Sequence, residues 1–282
     1  MSLQFIIGSS GIGKTHYACE QIIRESMENP QHLYYIIVPE QFTMQTQKNV
    51  VEMHPGKGIL NIDVLSFQRL AYRIFEETGG AREVLLDDTG KSMVLQKLVQ
   101  QHRKNLPYLG NQMNKPGYLD EVKSLISEFM QYDIREEELQ DMLGKTGEDS
   151  LLHMKMQDVG VLYQAFLQYL EGHYMTGEGV MDALKKAIPF SDKLKKSVLL
   201  LDGFTGFTPV QMNVIRELLN VCDKVLVTVT MDAGENPLQM GKPHQLFYMS
   251  RKMIHTLSGL TSNLDDPILL KDERKGRFGN FT

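Results

Sequence analysis

The N-terminal part of the chain alternates short apolar runs with longer stretches of helical periodicity. The apolar runs are rich in Ile, Val and Tyr, which favour buried strands, whereas the stretches between them repeat at about 3.6 residues. Strands are predicted at 3–7, 33–39 and 58–65. Helices are predicted from Lys14 to before Asn29, from Glu40 to Met53, and from the N-cap Ser66 to Gly79. Alternation of this kind predicts a parallel sheet with crossover helices.

The pattern changes at about residue 86, where strand-like runs give way to helical spacing alone. Met156, Val159 and Tyr163, for example, recur as on one face of an amphipathic helix. Helices are predicted at 88–104, 117–131, 135–142, 151–172 and 177–187, with no strand between 86 and 190. The pair Asp87-Asp88 is interpreted as the N-cap of the first of these helices.

Strand-like runs return after this helical block. Strands are predicted at 196–202 and 224–231, and helices at 209–220 and 244–257. The predicted fold is therefore an α/β domain interrupted by a large all-helical insertion. We assign 1–85 and 196–282 to the two parts of the α/β domain and 86–195 to the inserted subdomain.

The first predicted strand runs directly into a glycine-rich loop with the spacing G-x-x-x-x-G-K-T. Its residues are Gly8, Ser9, Ser10, Gly11, Ile12, Gly13, Lys14 and Thr15. A strand, this loop and a helix in succession are typical of a P-loop, which folds backbone N–H groups around phosphate oxygens. Lys14 is then expected at the β- and γ-phosphates, and the Thr15 hydroxyl at Mg²⁺. The loop predicts nucleotide binding.

A second candidate motif lies at the end of the run Val198–Leu201, where four apolar residues precede Asp202. In P-loop proteins an aspartate in this position helps to hold Mg²⁺, although Asp202-Gly203 could also simply open a turn. Motor ATPases place a glutamate directly after this aspartate to activate water, but Gly203 has no side chain that could act as a base. We therefore assign no catalytic residue and expect the nucleotide to be bound with weak or absent hydrolysis.

Composition bears on the compartment in which the protein works and does not indicate its activity. The chain has 282 residues, a formal net charge of −5 and two cysteines, Cys19 and Cys222. Two cysteines predict neither a disulfide framework nor an iron–sulfur site, which favours a reducing cytoplasm. No apolar run reaches the roughly 20 residues of a membrane span. The polar stretch from Lys271 to Thr282 suggests a fragment of a longer protein.

Polar residues follow the second and third predicted strands. They are Gln41, Thr43, Ser66, Gln68 and Arg69. Parallel α/β proteins bind ligands at the carboxyl ends of their strands, which makes these residues candidates for ligand contact. Helix capping and ordinary surface exposure are the alternative interpretation.

Three further stretches have a distinctive sequence: V-P-E-Q-F-T at 38–43, V-L-S-F-Q-R-L-A at 64–71 and D-G-F-T-G-F-T-P at 202–209. Together with the glycine-rich loop, and in the same order, they resemble the N-terminal part of the AddB/RexB-type component of bacterial AddAB helicase–nucleases. This family is related to superfamily 1 DNA helicases. The resemblance extends over residues 3–232.

The resemblance implies a RecA-like P-loop domain that binds ATP and Mg²⁺ through Thr15 and Asp202. It also implies that the five polar residues after the second and third strands contact single-stranded DNA. The family acts with an AddA-type helicase–nuclease subunit in recombinational repair of double-strand DNA breaks. A second RecA-like domain and an iron–sulfur nuclease domain are expected only in the missing C-terminal part, so this fragment is expected to lack exonuclease activity of its own.

Two other classes of function stay open at this point. One is a small-molecule P-loop kinase whose lid is the helical block, although that block offers only Arg103 and Arg135 to contact phosphates. The other is a structural scaffold with a vestigial loop. DNA binding discriminates among the three, because only the helicase-like module requires it.

Overall fold

The structure is a computed structural model that describes residues 2–80, 83–112, 115, 117–147, 150–232 and 234–271. Its first elements are β1 (Ser2–Gly8), α1 (Lys14–Glu28), β2 (Leu33–Ile37), α2 (Thr43–Met53), β3 (Ile62–Leu65) and α3 (Phe67–Thr78). There follow β4 (Val84–Leu85), α4 (Asp88–His102), α5 (Leu109–Gln112), α6 (Tyr118–Gln131), α7 (Glu136–Gly144), α8 (Leu151–Leu170), β5 (Tyr174–Met175) and α9 (Gly177–Ala187). The last are β6 (Ser197–Leu201), α10 (Pro209–Val221), β7 (Lys224–Thr230), α11 (Tyr248–Ser258) and β8 (Ile268–Leu270).

Six of these strands form one sheet in the order β3-β2-β6-β7-β1-β8, and every pair in it is parallel. The predicted α/β class with a parallel sheet is therefore confirmed. All five residues of β6 are buried, as a central strand requires. One face of the sheet packs against α1 and α2, where Ile22 and Val50 join a core with Ile36 and Leu200.

Two compact units are distinguished by their internal contacts. The first comprises Met1–Gly80, Leu184–Phe207 and Gln211–Thr282, and it contains the six-stranded sheet. The second comprises Ala81–Ala183 and Thr208–Val210. Its core is formed mainly by apolar faces of α4, α6 and α8, where the rings of Phe129 and Tyr163 meet edge to face with centroids 5.4 Å apart. None of the helices in the described residues is long and apolar enough to cross a bilayer.

The chemistry of the helix ends agrees with the sequence prediction. The Ser66 hydroxyl accepts a hydrogen bond from the Arg69 N–H at the start of α3, and Gly79 ends that helix with φ of 72°. Asp87 caps α4 by accepting from the Gly90 N–H at 2.7 Å. Because these caps depend only on local sequence, they could be identified before the tertiary structure was known.

Several predicted boundaries were wrong. The third strand begins at Ile62 rather than 58, and the last predicted helix begins at Tyr248 rather than 244. The block predicted to be purely helical contains β5, which pairs with β4 in a parallel two-stranded sheet. The short elements α5 and β8 were not predicted.

Candidate functional site

The glycine-rich loop and Asp202 meet at the carboxyl edge of the sheet. β1 ends at Gly8 and β6 ends at Leu201, and β7 lies between these two strands. Because all three strands are parallel, their carboxyl ends lie along the same edge. The residues that follow β1 and β6 therefore meet across the end of β7.

The loop has the backbone geometry that its glycines allow. Gly13 precedes α1 with φ of 97°, a left-handed conformation that a residue with a Cβ adopts only with strain. The helix then begins at Lys14, so its first N–H groups and the positive end of its dipole face the loop. An anion held by this loop would meet the backbone N–H donors at the start of α1.

The Lys14 side chain folds over the loop. Its Nζ donates to the carbonyl oxygens of Gly8 at 3.0 Å and Ser9 at 2.8 Å. Partial burial lowers the pKa of Lys14, and the nearby Asp202 carboxylate opposes that shift. Among the described residues, the hydrogen-bond partners of the ammonium group are these two neutral carbonyls, and a phosphate oxygen would be a stronger acceptor.

Asp202 is the centre of a cluster of hydroxyl groups. The residue is 6% exposed, and its carboxylate accepts from the Thr15 hydroxyl at 3.1 and 3.0 Å. The Thr228 hydroxyl of β7 donates to Asp202 Oδ1 at 2.6 Å. The backbone N–H of Asp202 donates to Ile37 O at 3.0 Å, which fixes the residue to the neighbouring strand. The structure therefore brings together the two residues predicted to hold Mg²⁺.

The glycine-rich loop, Asp202 and Thr228 line a cleft of about 670 Å³. Residues of α2, including Asn49 and Glu52, form another part of its wall. Burial, with a smaller contribution from Asp202, raises the pKa of the Cys19 thiol in this cleft to about 12, so the thiol stays protonated and unreactive. The described residues offer no group of three or more His, Cys, Asp or Glu side chains for a metal, so a cation here would complete its coordination with oxygen atoms of water or of a bound molecule.

The turn after Asp202 connects this cleft with a cluster of aromatic rings. Gly203 has φ of 78°. Phe204 also lines the cleft, and its ring lies 5.6 Å from that of Phe67 and 5.0 Å from that of Phe207. Phe67 is the first residue of α3, so the segment after β3 contacts the segment after β6 through these rings.

The five other sequence candidates lie near the ends of β2 and β3 and fall into two groups. Thr43 and Ser66 are buried, and their hydroxyl groups make local hydrogen bonds. The Thr43 hydroxyl donates to Glu40 O, and the Ser66 hydroxyl accepts from the Arg69 N–H. Gln41, Gln68 and Arg69 are exposed, and the Arg69 guanidinium pairs with Glu40 at 3.0 Å. The Ser66 bond agrees with the capping interpretation, whereas Thr43 is the first residue of α2 and its hydroxyl does not cap that helix.

Sequence reasoning missed Thr228. The residue occupies one position in a strand predicted from its apolar pattern, and threonine is common in strands for its shape alone. Its relation to Asp202 depends on the pairing of β6 with β7, which places Leu201 beside Val227. The available signal was one threonine between two valines in a strand that also ends in a threonine.

These features define a class: an α/β protein with a parallel sheet whose carboxyl edge carries a glycine-rich loop, a lysine and a buried aspartate. The chain belongs to the AddB N-terminal family, because it matches the family described as "ADDB, N-terminal" over residues 5–277.

Curated relatives are named as a subunit of an ATP-dependent helicase/deoxyribonuclease. The chain is 44% identical over 287 residues to that protein from Lachnoclostridium phytofermentans, covering 99% of this chain and 25% of the relative. It is 31% identical to the protein from Alkaliphilus metalliredigens, covering 98% and 24%, and 32% identical to that from Geobacillus thermodenitrificans, again covering 98% and 24%. The chain thus spans about a quarter of the length of these relatives.

Proposed function

We propose that the chain is the helicase-like ATP-binding module of a helicase–nuclease subunit. In this proposal the parallel sheet is a RecA-like P-loop domain, and residues 86–195 are a helical subdomain inserted into it. The observation that supports nucleotide binding most directly is the hydrogen bonding of Thr15 to Asp202 beside a glycine-rich loop that begins a helix.

Each residue of the site has a role in this proposal. The loop from Gly8 to Thr15 binds phosphate oxygens through its backbone N–H groups, and Lys14 contacts the β- and γ-phosphates. Thr15 and Asp202 are the protein's oxygen donors for Mg²⁺, which neutralises phosphate charge when it is bound. The residues fit a hard cation, because hydroxyl and carboxylate oxygens are the donors that Mg²⁺ prefers.

We expect ATP hydrolysis by this module to be weak or absent. Gly203 follows Asp202 and carries no proton acceptor, and its left-handed backbone disfavours a side chain at that position. The module would then use ATP to change its state rather than to drive continuous movement.

Binding of a fluorescent ATP analogue during a Mg²⁺ titration tests this assignment. Thr15→Val removes one oxygen ligand, and Asp202→Asn removes one negative charge. Both should abolish most of the Mg²⁺-dependent component of nucleotide binding. Thr78→Val is a matched control, because the Thr78 hydroxyl donates to the Ile74 carbonyl within α3 and is not part of the cleft. Equal affinity in all four proteins would reject the site.

The relatives' name supports a role as one subunit of a larger complex. We propose that the chain forms part of an ATP-dependent helicase/deoxyribonuclease complex that repairs double-strand DNA breaks by recombination in the cytoplasm, with an AddA-type subunit as partner. The iron–sulfur cluster and the nuclease chemistry of such a complex would belong to other parts of it. Co-purification of the full-length protein with an AddA-type subunit tests the partner assignment. Separate elution of the two would contradict it.

We propose that single-stranded DNA contacts this unit near the carboxyl ends of β2 and β3. Gln41, Gln68 and Arg69 are the exposed candidates, whereas Thr43 and Ser66 would contribute mainly by shaping the backbone. The Arg69 guanidinium forms an ion pair with Glu40, which partly neutralises its positive charge. Glu40→Gln should therefore strengthen DNA binding, and Arg69→Ala should weaken it.

Fluorescence anisotropy with labelled single-stranded DNA across a salt series measures these effects. Loss of one phosphate contact should reduce the slope of log K against log salt by about 0.7 in Arg69→Ala. Arg216→Ala, on α10, is a control for the loss of one exposed arginine. DNA binding that depends neither on salt nor on Arg69 would contradict the proposed contact. If the protein does not bind DNA, the kinase and scaffold alternatives are favoured.

A further inference from the structure

Strand β7 carries one buried polar side chain at the point where it passes between the loop and Asp202. Residues 225–229 of this strand are buried, and the side chains other than Thr228 are valine or leucine. Thr228 is 4% exposed and pairs in register with Ile6 of β1. A valine would have the same shape, so packing alone does not account for the hydroxyl group.

Both hydrogen-bonding functions of this hydroxyl are directed at the Asp202 turn. It donates its single proton to Asp202 Oδ1 at 2.6 Å. Its oxygen accepts from the Gly203 N–H at 3.4 Å, a longer contact. One side chain on β7 therefore bonds both the carboxylate and the backbone of the turn that follows β6.

The two threonine hydroxyls bind the Asp202 carboxylate in different ways. Thr228 bonds Oδ1 alone, whereas Thr15 reaches both oxygens at 3.1 and 3.0 Å. The bond from Thr228 to Oδ1 restricts rotation of the carboxylate, so Oδ2 stays directed towards Thr15. A buried charge also needs such donors to offset the loss of water.

We propose that Thr228 is a positioning residue that orients the Asp202 carboxylate towards the cation of a bound Mg-nucleotide. The inference rests on the proposed function, since it concerns the same site. Partners that orient a metal-binding carboxylate contribute to metal affinity without touching the metal, and their loss typically lowers that affinity about 10–100-fold. Thr228 should therefore affect the Mg²⁺-dependent part of nucleotide binding and leave the Mg²⁺-independent part unchanged.

The test is a Mg²⁺ titration at a fixed concentration of fluorescent ATP analogue, repeated in EDTA. Thr228→Val keeps the shape and removes the donor, and it should raise the Mg²⁺ concentration for half-maximal binding about tenfold or more. Thr228→Ser keeps the donor and should stay within about twofold of the wild type. Affinity in EDTA should be the same in all three proteins. Thermal unfolding of each variant verifies that it is folded, and Thr228→Cys, with its weaker donor, provides an intermediate case should the valine variant not fold.

Each outcome decides between the inference and the proposed function. A valine variant with the wild-type Mg²⁺ dependence would overturn the positioning role while leaving the nucleotide site intact. Equal weakening with and without Mg²⁺ would also overturn it, because that pattern indicates general damage to the cleft. A wild-type protein whose nucleotide binding ignores Mg²⁺ would refute the proposed function itself, and the positioning role with it.

Discussion

Asp202 is the central residue of the candidate site, because the side chains of Thr15 and Thr228 bond to its carboxylate. A carboxylate buried this deeply is costly unless donors surround it, and the hydroxyl groups of Thr15 and Thr228 serve as those donors. The sequence alone predicted that Thr15 and Asp202 act together. Each belongs to a recognisable motif: Thr15 ends the pattern G-x-x-x-x-G-K-T, and Asp202 follows four apolar residues. The sequence could not predict Thr228, because only strand pairing brings that residue to the carboxylate.

Gly203 allows a prediction at the same scale. Its φ of 78° lies in the left-handed region, where a Cβ costs roughly 1–2 kcal/mol. Gly203→Ala should therefore lower the free energy of unfolding of the α/β unit by about 1 kcal/mol in guanidinium titrations. Gly206→Ala is the matched control in the same turn, since its φ is outside that region and a Cβ there meets no atom within 4 Å. Equal losses in both variants would contradict the backbone explanation.

At the level of elements, predictability follows how local the stabilising interactions are. Helices α1, α3 and α8 were predicted closely, because amphipathic spacing and caps are encoded within each segment. By contrast, β8 is three residues long and exists because Ile268–Leu270 pairs with Ile6–Gly8 of β1. Such short elements are formed by tertiary contacts that a single sequence does not reveal.

The four-residue helix α5 depends on Asp158 of α8. The Asp158 carboxylate is fully buried and accepts from the N–H groups of Tyr108 and Leu109 at 2.9 and 2.6 Å. Asp158→Ala should lower the free energy of unfolding of the helical unit by about 1–3 kcal/mol, because it leaves the buried Leu109 N–H and the partly buried Tyr108 N–H without this acceptor. Asp158→Asn keeps an acceptor and should cost less. Asp141→Ala, at an exposed i,i+4 pair with Lys145, is expected to change stability by less than about 0.5 kcal/mol.

The same residue predicts a dependence on pH. Burial raises the pKa of Asp158 above its ordinary value, and the two N–H groups only partly oppose this. A carboxyl group whose pKa is raised on folding favours the folded state at low pH, and this contribution is lost as pH rises from the unfolded pKa through the folded one. The cost of Asp158→Asn relative to wild type should therefore be larger at pH 4 than at pH 7, measured by denaturant titration. A larger cost at pH 7 would contradict the burial argument.

At the scale of the whole molecule, the chain contains a unit with the candidate nucleotide site and a separate helical unit. The change from strand patterns to helical patterns along the sequence suggested such a division. The sequence predicted that strands near 196–202 and 224–231 return to the sheet, as β6 and β7 do. It could not predict the order of the strands, because that order is set by long-range pairing. The assignment of 86–195 as an inserted subdomain stays a prediction.

Nucleotide binding should therefore stabilise one unit selectively. A ligand at about 100 times its Kd stabilises the folded state that binds it by about 2.7 kcal/mol, which slows amide exchange through the corresponding opening about 100-fold. In hydrogen–deuterium exchange with Mg-ATP, we expect protection in β1, α1, β6 and β7 and little change in α4, α6 and α8. Protection confined to the helical unit would contradict the location of the site.

Calorimetric titration of Mg-ATP into the wild-type chain and Lys14→Ala tests the central claim most directly, with phosphate release measured in the same samples with and without single-stranded DNA. We expect saturable binding in the wild type and a loss of about tenfold or more in Lys14→Ala, since a hydrogen bond to a charged group contributes roughly 1.5–3 kcal/mol. Lys195→Ala, an exposed lysine paired with Asp192, should bind as the wild type does. Little phosphate should be released in any sample. Equal binding by the wild type and Lys14→Ala, or no binding by either, would contradict a nucleotide site at this loop, and DNA-stimulated release would contradict the role given to Gly203.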